Sequence, residues 1–418
     1  MLTVFHTADW HLGQSFFGFD RDFEHAAFLE WLLHELQSQQ PEAMLLAGDV
    51  FDTINPSAQS LRRYYDFLAR AHALLPELQI VITAGNHDVG ARLEAPSELL
   101  NSLHVSIVGT VSRDEQGTID LQKFLVPLKN RAGLIEAIIL AVPFLRPSDV
   151  PLLTEASDPY LNGVRELYRQ ATNAALQFKS EHCPHAAIIA MGHCHLTGGQ
   201  ESLDSERRLV IGGAEALNAE TFASEIAYVA LGHLHKPQHF RDGSIRYCGS
   251  PIPLSFAETG YDHQVLRLKF DHGQLHSVEA MQIPCSASLR TVPSHGAASI
   301  DDLLPQLTTL ELDGSLHPEQ HPFLEVRVLE DQPDPTRRKR IEEALDGKPV
   351  RLASIKVESA TRRADSSDQS IEQENYDLKT INPEEIFLSA HLEKYGTAAD
   401  ETLINAFREI LLQEVQAS

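Results

Sequence analysis

The sequence predicts an α/β layered protein, and three observations support this prediction. Short apolar strand candidates alternate with helical stretches as far as about residue 280. Apolar residues make up 43% of the chain and charged residues 22%, which is typical of a protein that buries a core. Polar clusters follow five of the strand candidates, as expected where strand ends meet at a site. The length of 418 residues allows roughly two to three domains.

The first part of the chain contains the alternating strands and helices. Apolar runs predict strands at residues 2–5, 43–47, 79–83, 137–142, 186–191, 209–211 and 228–231. Helical periodicity predicts helices at residues 23–37, 58–75 and 163–178. We therefore expect a first domain over residues 1–284.

The pattern changes after Pro284. A helix at 299–310, a strand at 323–328, a helix at 337–345 and a strand at 350–357 predict a small α-β-α-β domain over residues 285–363. Residues 364–376 are polar and predict a linker. A capping pattern at residues 382–385 and an apolar face on residues 403–415 predict helices within residues 377–418.

The net charge restricts the possible partners. Lys and Arg number 34 against 59 Asp and Glu, so the formal net charge is −25. Such a chain should repel nucleic acid, because phosphate binding normally uses Lys and Arg to displace counterions. Binding of DNA would therefore need bound cations, a local basic patch or a basic partner.

Membrane and secretion signals are absent from the sequence. No apolar run approaches the roughly 18 residues of a membrane helix, and the first residues lack the pattern of a signal peptide. The four cysteines form no CxxC pair. This arrangement is typical of free thiols in a reducing cytoplasm, which is the location we expect.

Five polar clusters, each after a strand candidate, carry the chemistry. They are Asp9-Trp10-His11, Gly48-Asp49-Val50-Phe51-Asp52, Gly85-Asn86-His87-Asp88, Gly192-His193 and Gly232-His233-Leu234-His235. Asp and His suit divalent Mn, Fe or Zn, and a pair of such cations needs a bridging carboxylate, for which Asp49 is the natural choice. The preceding glycines allow tight turns and close approach of the backbone.

Each cluster alone has a simpler interpretation as a turn, a loop or a solvated pair. The five together, in this order, resemble the calcineurin-like metallophosphoesterases. Residues 6–13, 143–147 and 247–256 resemble the SbcD branch of that superfamily, whose members are nuclease subunits of complexes with an SbcC-type coiled-coil ATPase. The resemblance is strong over residues 1–280 and mainly architectural beyond them. It implies a β-sandwich flanked by helices, with a small capping domain and C-terminal helices.

The resemblance also implies roles for individual residues. Asp9, His11 and His235 would hold one metal ion, Asn86, His193 and His233 the other, and Asp49 would bridge them. His87 would act on the phosphate, by protonating the leaving oxygen or by stabilising its charge. Asp88 would orient His87, and Asp52 would support the ligands from behind. The family usually works with Mn²⁺, although Mg²⁺, Fe and Zn²⁺ stay open.

The fourth cluster leaves two histidines as candidates for one ligand position. His193 follows the strand and its glycine directly and lies five residues before Gly198, as in the family pattern. His195 is the alternative, and it is otherwise a loop histidine near the cleft. The sequence favours His193.

Two further features have open interpretations. The run Arg337-Arg338-Lys339-Arg340 is either a contact for the DNA backbone or a solvated helix face. The C-terminal helices either dock onto the coiled coil of an SbcC-type ATPase or pack on their own domain. The chain has no GxxxxGK[ST] loop, so any dependence on ATP requires another subunit.

The leading hypothesis is a Mn²⁺-dependent DNA phosphodiesterase of a repair, recombination and replication complex. The resemblance implies 3′–5′ exonuclease activity on double-stranded ends, endonuclease activity on hairpins or single strands, and a possible homodimer. A small-molecule phosphoesterase with the same metal ligands is one alternative, and a non-catalytic scaffold for a coiled-coil ATPase is another.

Overall fold

The computed structural model describes residues 1–151, 153, 158–202, 206, 216–330, 332 and 334–358. It confirms the predicted α/β layering. The helices there are α1 (Asp22–Gln39), α2 (Ala58–Leu74), α3 (Gly90–Glu94), α4 (Ser97–Asn101), α5 (Pro159–His182), α6 (Ile300–Thr308) and α7 (Arg337–Ala344).

Seventeen strands lie in the described residues. They are β1 (Leu2–Thr7), β2 (Ser15–Phe16), β3 (Phe19–Asp20), β4 (Ala43–Ala47), β5 (Gln79–Thr83), β6 (Val105–Val108), β7 (Leu125–Lys129), β8 (Ile135–Ala141), β9 (Ala187–His193), β10 (Tyr228–Gly232), β11 (Gln238–Phe240), β12 (Ile245–Tyr247), β13 (Gln264–Asp271), β14 (Gln274–Gln282), β15 (Leu289–Val292), β16 (Phe323–Leu329) and β17 (Arg351–Glu358).

Two six-stranded sheets form the larger part of this architecture. The first has the order β14-β13-β1-β4-β5-β6, and its strands β1, β4, β5 and β6 are parallel. The second has the order β11-β12-β10-β9-β8-β7, with β8, β9, β10 and β12 parallel. Parallel neighbours end at the same edge of a sheet, so each sheet presents several strand ends side by side.

The core lies between the sheets and on their outer faces. Val4 and Leu45 of the first sheet and Ile139 and Ile189 of the second belong to one buried cluster, to which helix α5 also contributes. The opposite face of the first sheet packs against α1 and α2 in a second cluster. This burial of both faces explains why the central strands read as continuous apolar runs.

Six of the seven strands predicted in the first part are present, and residues 209–211 lie outside the described residues. The predicted helices are also present within a few residues of their expected ends. The apolar pattern does not predict strands such as β14, in which most side chains are exposed. Such a strand has no apolar alternation, and its hydrogen bonds to β13 hold it in the sheet.

The small sheet is β15-β16-β17, and all its strands are parallel. Helix α6 connects β15 to β16, and α7 connects β16 to β17. The unit is therefore β-α-β-α-β, one strand more than predicted. The additional strand β15 has only four residues, two of them exposed or half-buried, which is too short for a clear periodic signal.

A buried arginine joins the small sheet to the first part of the chain. Arg21 is fully buried and pairs with Glu24, and its guanidinium lies over the rings of Phe16 and Phe323. Phe323 belongs to β16, and its ring also receives the guanidinium of Arg351 at 3.5 Å. The aromatic cluster at this junction therefore fixes the small sheet against the hairpin of β2 and β3.

The predicted linker and C-terminal helices lie outside the described residues. None of the helices in the described part of the chain has both the length and the apolar character needed to cross a bilayer. All four cysteines are free thiols.

Candidate metal centre

The five polar clusters converge from the two large sheets. Asp9 and His11 follow β1, Asp49 follows β4, Asn86 and His87 follow β5, His193 ends β9, and His233 and His235 follow β10. These are central strands of the two sheets. All eight side chains are buried except those of Asn86 and His87, which are half-buried. The structure thus brings residues that are more than 200 positions apart in sequence into one site.

The backbone at this site adopts uncommon conformations. The φ angles of Asp9, His11, Asp49 and His233 are 54°, 45°, 50° and 99°, in or near the left-handed region that non-glycine residues rarely occupy. Main-chain N–H groups of Asp9 and His11 donate to the carbonyls of Gly48 and Asp49, each at 3.0 Å. Such conformations cost energy and cluster at functional sites, where the surrounding structure enforces them.

Two glycines allow the loops to approach this closely. Gly48 has a φ of +86°, and a Cβ atom there would lie 2.2 Å from Nδ1 of His193. A Cβ atom on Gly85 would lie 2.1 Å from Oδ1 of Asp49. Any side chain at either position would displace a residue of the site.

The first group of possible ligands is Asp9, His11 and His235. Each residue offers one ligand atom, and these atoms all lie within 4.8 Å of one another. Oδ2 of Asp9 and Nε2 of His11 are buried without a hydrogen-bond partner among the described residues. An unpartnered buried polar atom is costly, and a bound divalent cation would satisfy both atoms at once. The donor set therefore fits a metal ion.

The second group is built around Asn86. Its Oδ1 atom lies 3.0 Å from Nε2 of His193 and 3.0 Å from Nδ1 of His233. Nδ1 of His193 donates to the carbonyl of Ala47 at 3.0 Å, which leaves Nε2 as the nitrogen that faces the site. One amide oxygen and two imidazoles at these distances suit a second divalent cation.

Asp49 lies between the two groups. Its Oδ2 atom is 3.6 Å from Nε2 of His11 and 3.2 Å from Nε2 of His193, so the carboxylate faces one histidine of each group. Its Oδ1 atom accepts the main-chain N–H of His87 at 2.8 Å. This is the position that a bridging carboxylate requires.

The two candidate histidines of the fourth cluster have different surroundings. His193 is buried, with Asn86 and Asp49 at its Nε2 atom. Nδ1 of His195 lies 3.2 Å from a carboxylate oxygen of Glu201. The possible metal-binding groups found among the described residues include His193 and do not include His195. The geometry therefore favours His193.

His87 stands at the edge of the site. Its Nδ1–H group donates to the carbonyl of Asp52 at 2.7 Å, and its ring packs edge-on against His11 with centroids 4.8 Å apart. Because Nδ1 is engaged, Nε2 is the nitrogen available to a substrate. The half-buried ring is also accessible, unlike the buried ligand candidates.

Asp52 and Asp88 support the site in different ways. The carboxylate of Asp52 accepts from Nδ1 of His11 at 3.2 Å, so it orients a ligand candidate. Asp88 instead accepts main-chain N–H groups of Val50, Phe51 and Gly85. Asp88 therefore holds the loops around His87, and the imidazole itself is held by the Asp52 carbonyl.

Glu258 is a supporting residue that the sequence patterns do not reveal. Its buried carboxylate accepts from Nδ1 of His235 at 2.9 Å, from the main-chain N–H of Leu254 at 2.7 Å and from the hydroxyl of Ser250 at 3.3 Å. It therefore fixes the ring that projects Nε2 toward Asp9 and His11. Its only sequence signal is its place directly after the segment 247–256, and no spacing rule connects it with His235.

The electrostatics of the site favour cations. Burial raises the pKa of Asp9 to about 7. Burial alone would lower the pKa of His193 and His235, but the carboxylates of Asp49 and Glu258 raise each pKa to about 9. Without metal ions, protons would therefore balance the buried carboxylates near neutral pH. Bound cations would replace those protons, so metal binding should release protons and weaken as the pH falls.

The basic run in the small domain is largely neutralised. Arg337 pairs with Glu330, Arg338 with Glu342, Lys339 with Glu343, and Arg340 with Asp301 and Asp334. These pairs occur on helix α7 and on its neighbours. The charges support the helix and its packing, and the run is a weaker candidate for a DNA contact than its sequence suggests.

The sheets and the paired ligand groups define a class of protein, the phosphoesterases with a two-metal centre of Asp, Asn and His. Residues 2–237 match the family described as Calcineurin-like phosphoesterase, and residues 285–395 match the SbcD_C family, described as Type 5 capsule protein repressor C-terminal domain. The chain is 39% identical to the SbcD subunit of the nuclease SbcCD from Rhodobacter capsulatus, over 93% of this chain and 94% of that relative.

The relative of the same name from Escherichia coli K12 is 30% identical, over 92% of each chain. The chain therefore belongs to the SbcD family of calcineurin-like phosphoesterases. Among solved structures, TT1561 of Thermus thermophilus matches 68% of this chain and 99% of its own, with 14% identity and a TM-score of 0.36.

The environments of His193 and His195 predict different effects of substitution. His193→Asn should lose about one of two bound Mn²⁺ ions, because it removes an imidazole that faces Asn86 and Asp49. His195→Asn should keep both, since its partner is Glu201. Metal analysis after equilibrium dialysis, with circular dichroism as the folding control, measures the difference. Full retention of metal by His193→Asn would contradict the assignment.

Glu258→Gln should lower Mn²⁺ affinity by about 10- to 100-fold, as is typical when a partner behind a metal ligand is lost. The neutral amide keeps the shape of the side chain but weakens the hold on His235. Isothermal titration calorimetry measures the change. Glu201→Gln, which alters a carboxylate beside His195, is the matched control and should leave affinity unchanged. Equal affinities of the two variants would argue against the orienting role.

Proposed function

We propose that this chain is the nuclease subunit of an SbcCD-type complex and hydrolyses phosphodiester bonds in DNA. The observation that carries the proposal is the convergence of Asp9, His11, Asp49, Asn86, His193, His233 and His235 at five strand ends. The relatives named as the SbcD subunit of the nuclease SbcCD align over nearly the whole chain and support DNA as the substrate. The proposed activities are 3′–5′ exonuclease on double-stranded ends and endonuclease on hairpins and single strands.

The proposed cofactor is a pair of Mn²⁺ ions. Asp9, His11 and His235 would hold one ion, Asn86, His193 and His233 the other, and Asp49 would bridge them. Carboxylate, amide and imidazole ligands without a thiolate suit Mn²⁺. When bound, the two cations would polarise the phosphate and activate the attacking water.

The residues of the chain itself supply positioning and proton transfer. Asp49 holds the main-chain N–H of His87, which places the histidine beside the metal ligands. Nδ1–H of His87 donates to the Asp52 carbonyl, so Nε2 is the atom that would donate a proton to the leaving oxygen or stabilise its charge. Asp52 and Glu258 keep the rings of His11 and His235 in place.

The domain plan assigns a role to each part of the chain. Residues 1–284 form the nuclease domain, residues 285–363 a capping domain over the DNA, residues 364–376 a linker, and residues 377–418 a helical segment that docks onto an SbcC-type coiled-coil ATPase. The apolar face predicted over residues 403–415 supports docking onto other helices. The free thiols support a reducing cytoplasm as the location, and a homodimer follows from the family resemblance.

His87→Ala should keep the bound metal and lose cleavage of linear duplex DNA by about 100-fold or more, the range typical of a lost acid–base group. Cleavage assays with Mn²⁺ and metal analysis on the same preparation measure the two effects. His182→Ala, an exposed histidine at the end of α5, is the control and should cleave normally. Normal cleavage by His87→Ala, or no Mn²⁺-dependent cleavage by the unmodified protein, would count against the proposed mechanism.

Phe407→Glu should abolish co-purification of the coiled-coil ATPase, because it places a charge on the apolar face predicted for the last helix. Asn405→Glu introduces the same side chain on the opposite face and should preserve the complex. Affinity purification of the two co-expressed subunits, followed by size-exclusion chromatography, measures the result. Retention of the ATPase by both variants would place the docking surface elsewhere.

A further inference from the structure

A cleft in so acidic a chain needs a local source of attraction for DNA. The formal net charge is −25, and repulsion of phosphate is expected over most of the surface. The densest basic run, residues 337–340, is paired with carboxylates. A cation near the metal centre that has no carboxylate partner would supply such attraction.

Arg146 is such a cation. It lies on the loop after β8, and its side chain is exposed. Within the described ranges of the chain, its guanidinium forms no ion pair, and it lies against the ring of Phe144, with 5.9 Å from Cζ to the centroid. A guanidinium over an aromatic face is positioned by the ring while its N–H edges stay available to a ligand.

Phe144 places this guanidinium beside the metal centre. Its ring packs edge-on against the imidazole of His193, with centroids 6.3 Å apart. Its main-chain N–H donates to the carbonyl of Ala84 at 2.8 Å, directly before Gly85 and Asn86. The loop of Arg146 is therefore tied to two of the strand ends that carry metal ligands.

The nearest carboxylate on the loop is used within the loop itself. Asp149 accepts the main-chain N–H of Arg146 at 2.8 Å, and its own N–H donates to the Arg146 carbonyl at 2.9 Å. Pro143 and Pro147 further restrict the backbone. The loop thus holds its conformation without using the guanidinium.

We infer that Arg146 binds a backbone phosphate of the DNA strand that enters the metal centre. This inference rests on the proposed function and names a residue that would position its substrate. Guanidinium and phosphate form paired, charge-assisted hydrogen bonds, and such a contact adds affinity without reading the sequence. It would supply part of the attraction that the acidic surface does not.

The test compares Arg146→Ala and Arg146→Lys with Arg169→Ala in the full chain with Mn²⁺. Arg169 is an exposed arginine on α5 that pairs with Glu166, and it controls for the loss of one surface charge. Affinity for a linear duplex is measured at several salt concentrations, and KM and kcat are measured for the same duplex and for a small aryl phosphodiester.

Arg146→Ala should weaken duplex affinity by about five- to tenfold and reduce the salt slope by about one, as expected for one phosphate contact. KM for the duplex should rise more than kcat falls, and the loss should be larger on the duplex than on the small diester. Arg146→Lys should recover part of the affinity, because it keeps the charge without the planar fork. Arg169→Ala should match the unmodified protein.

Equal affinities and salt slopes for Arg146→Ala and Arg169→Ala would overturn the inference while leaving the nuclease proposal intact. A protein that binds the duplex without cleaving it would count against the proposed function, and the binding comparison would still decide the role of Arg146. A protein that binds no DNA would overturn the inference.

Discussion

The arrangement of this protein depends on a cluster of carboxylates and imidazoles taken out of water at the junction of two sheets. Asp9 and Asp49 are buried, and charges in such a place are costly unless they are compensated. The raised pKa values of His193 and His235 indicate that protons compensate them when cations do not. The same groups suit two divalent ions, so the energetic cost of the site is what makes it a strong binder of cations.

The surrounding fold holds these groups together from several directions. Asp88 connects the loops after β4 and β5 through three main-chain N–H groups. Glu258 connects His235 with the segment after β12, and the Asp52 carboxylate fixes His11. The left-handed backbone at Asp9, His11 and Asp49 is maintained by this network. The supporting residues are therefore as much part of the centre as the ligands.

The charge distribution separates the site from the rest of the surface. The basic helix α7 pairs with neighbouring carboxylates and leaves little free positive charge. The cation site and the exposed Arg146 concentrate the attraction for phosphate at the metal centre. An overall acidic protein can act on DNA under these conditions if attraction is local and a partner supplies further contacts.

The sequence by itself determined the strands that carry ligands and the residue types at their ends. Apolar runs bounded by glycine and polar residues are local signals, and this is why the predicted bounds of β4 and β5 agree with the structure to the residue. The exposed strand β14 and the short strand β15 lack such a signal, because neighbouring strands stabilise them.

Only the tertiary structure decided which side chains meet. The preference for Asn86 and Asp49 as neighbours of His193, the position of Asp49 between two groups and the support of His235 by Glu258 are contacts between distant parts of the chain. Pairing of the basic residues of α7 with Glu330 and Asp301 is likewise invisible in a linear pattern. Local periodicity records what each segment buries, whereas the distances between segments are set by how the two sheets pack.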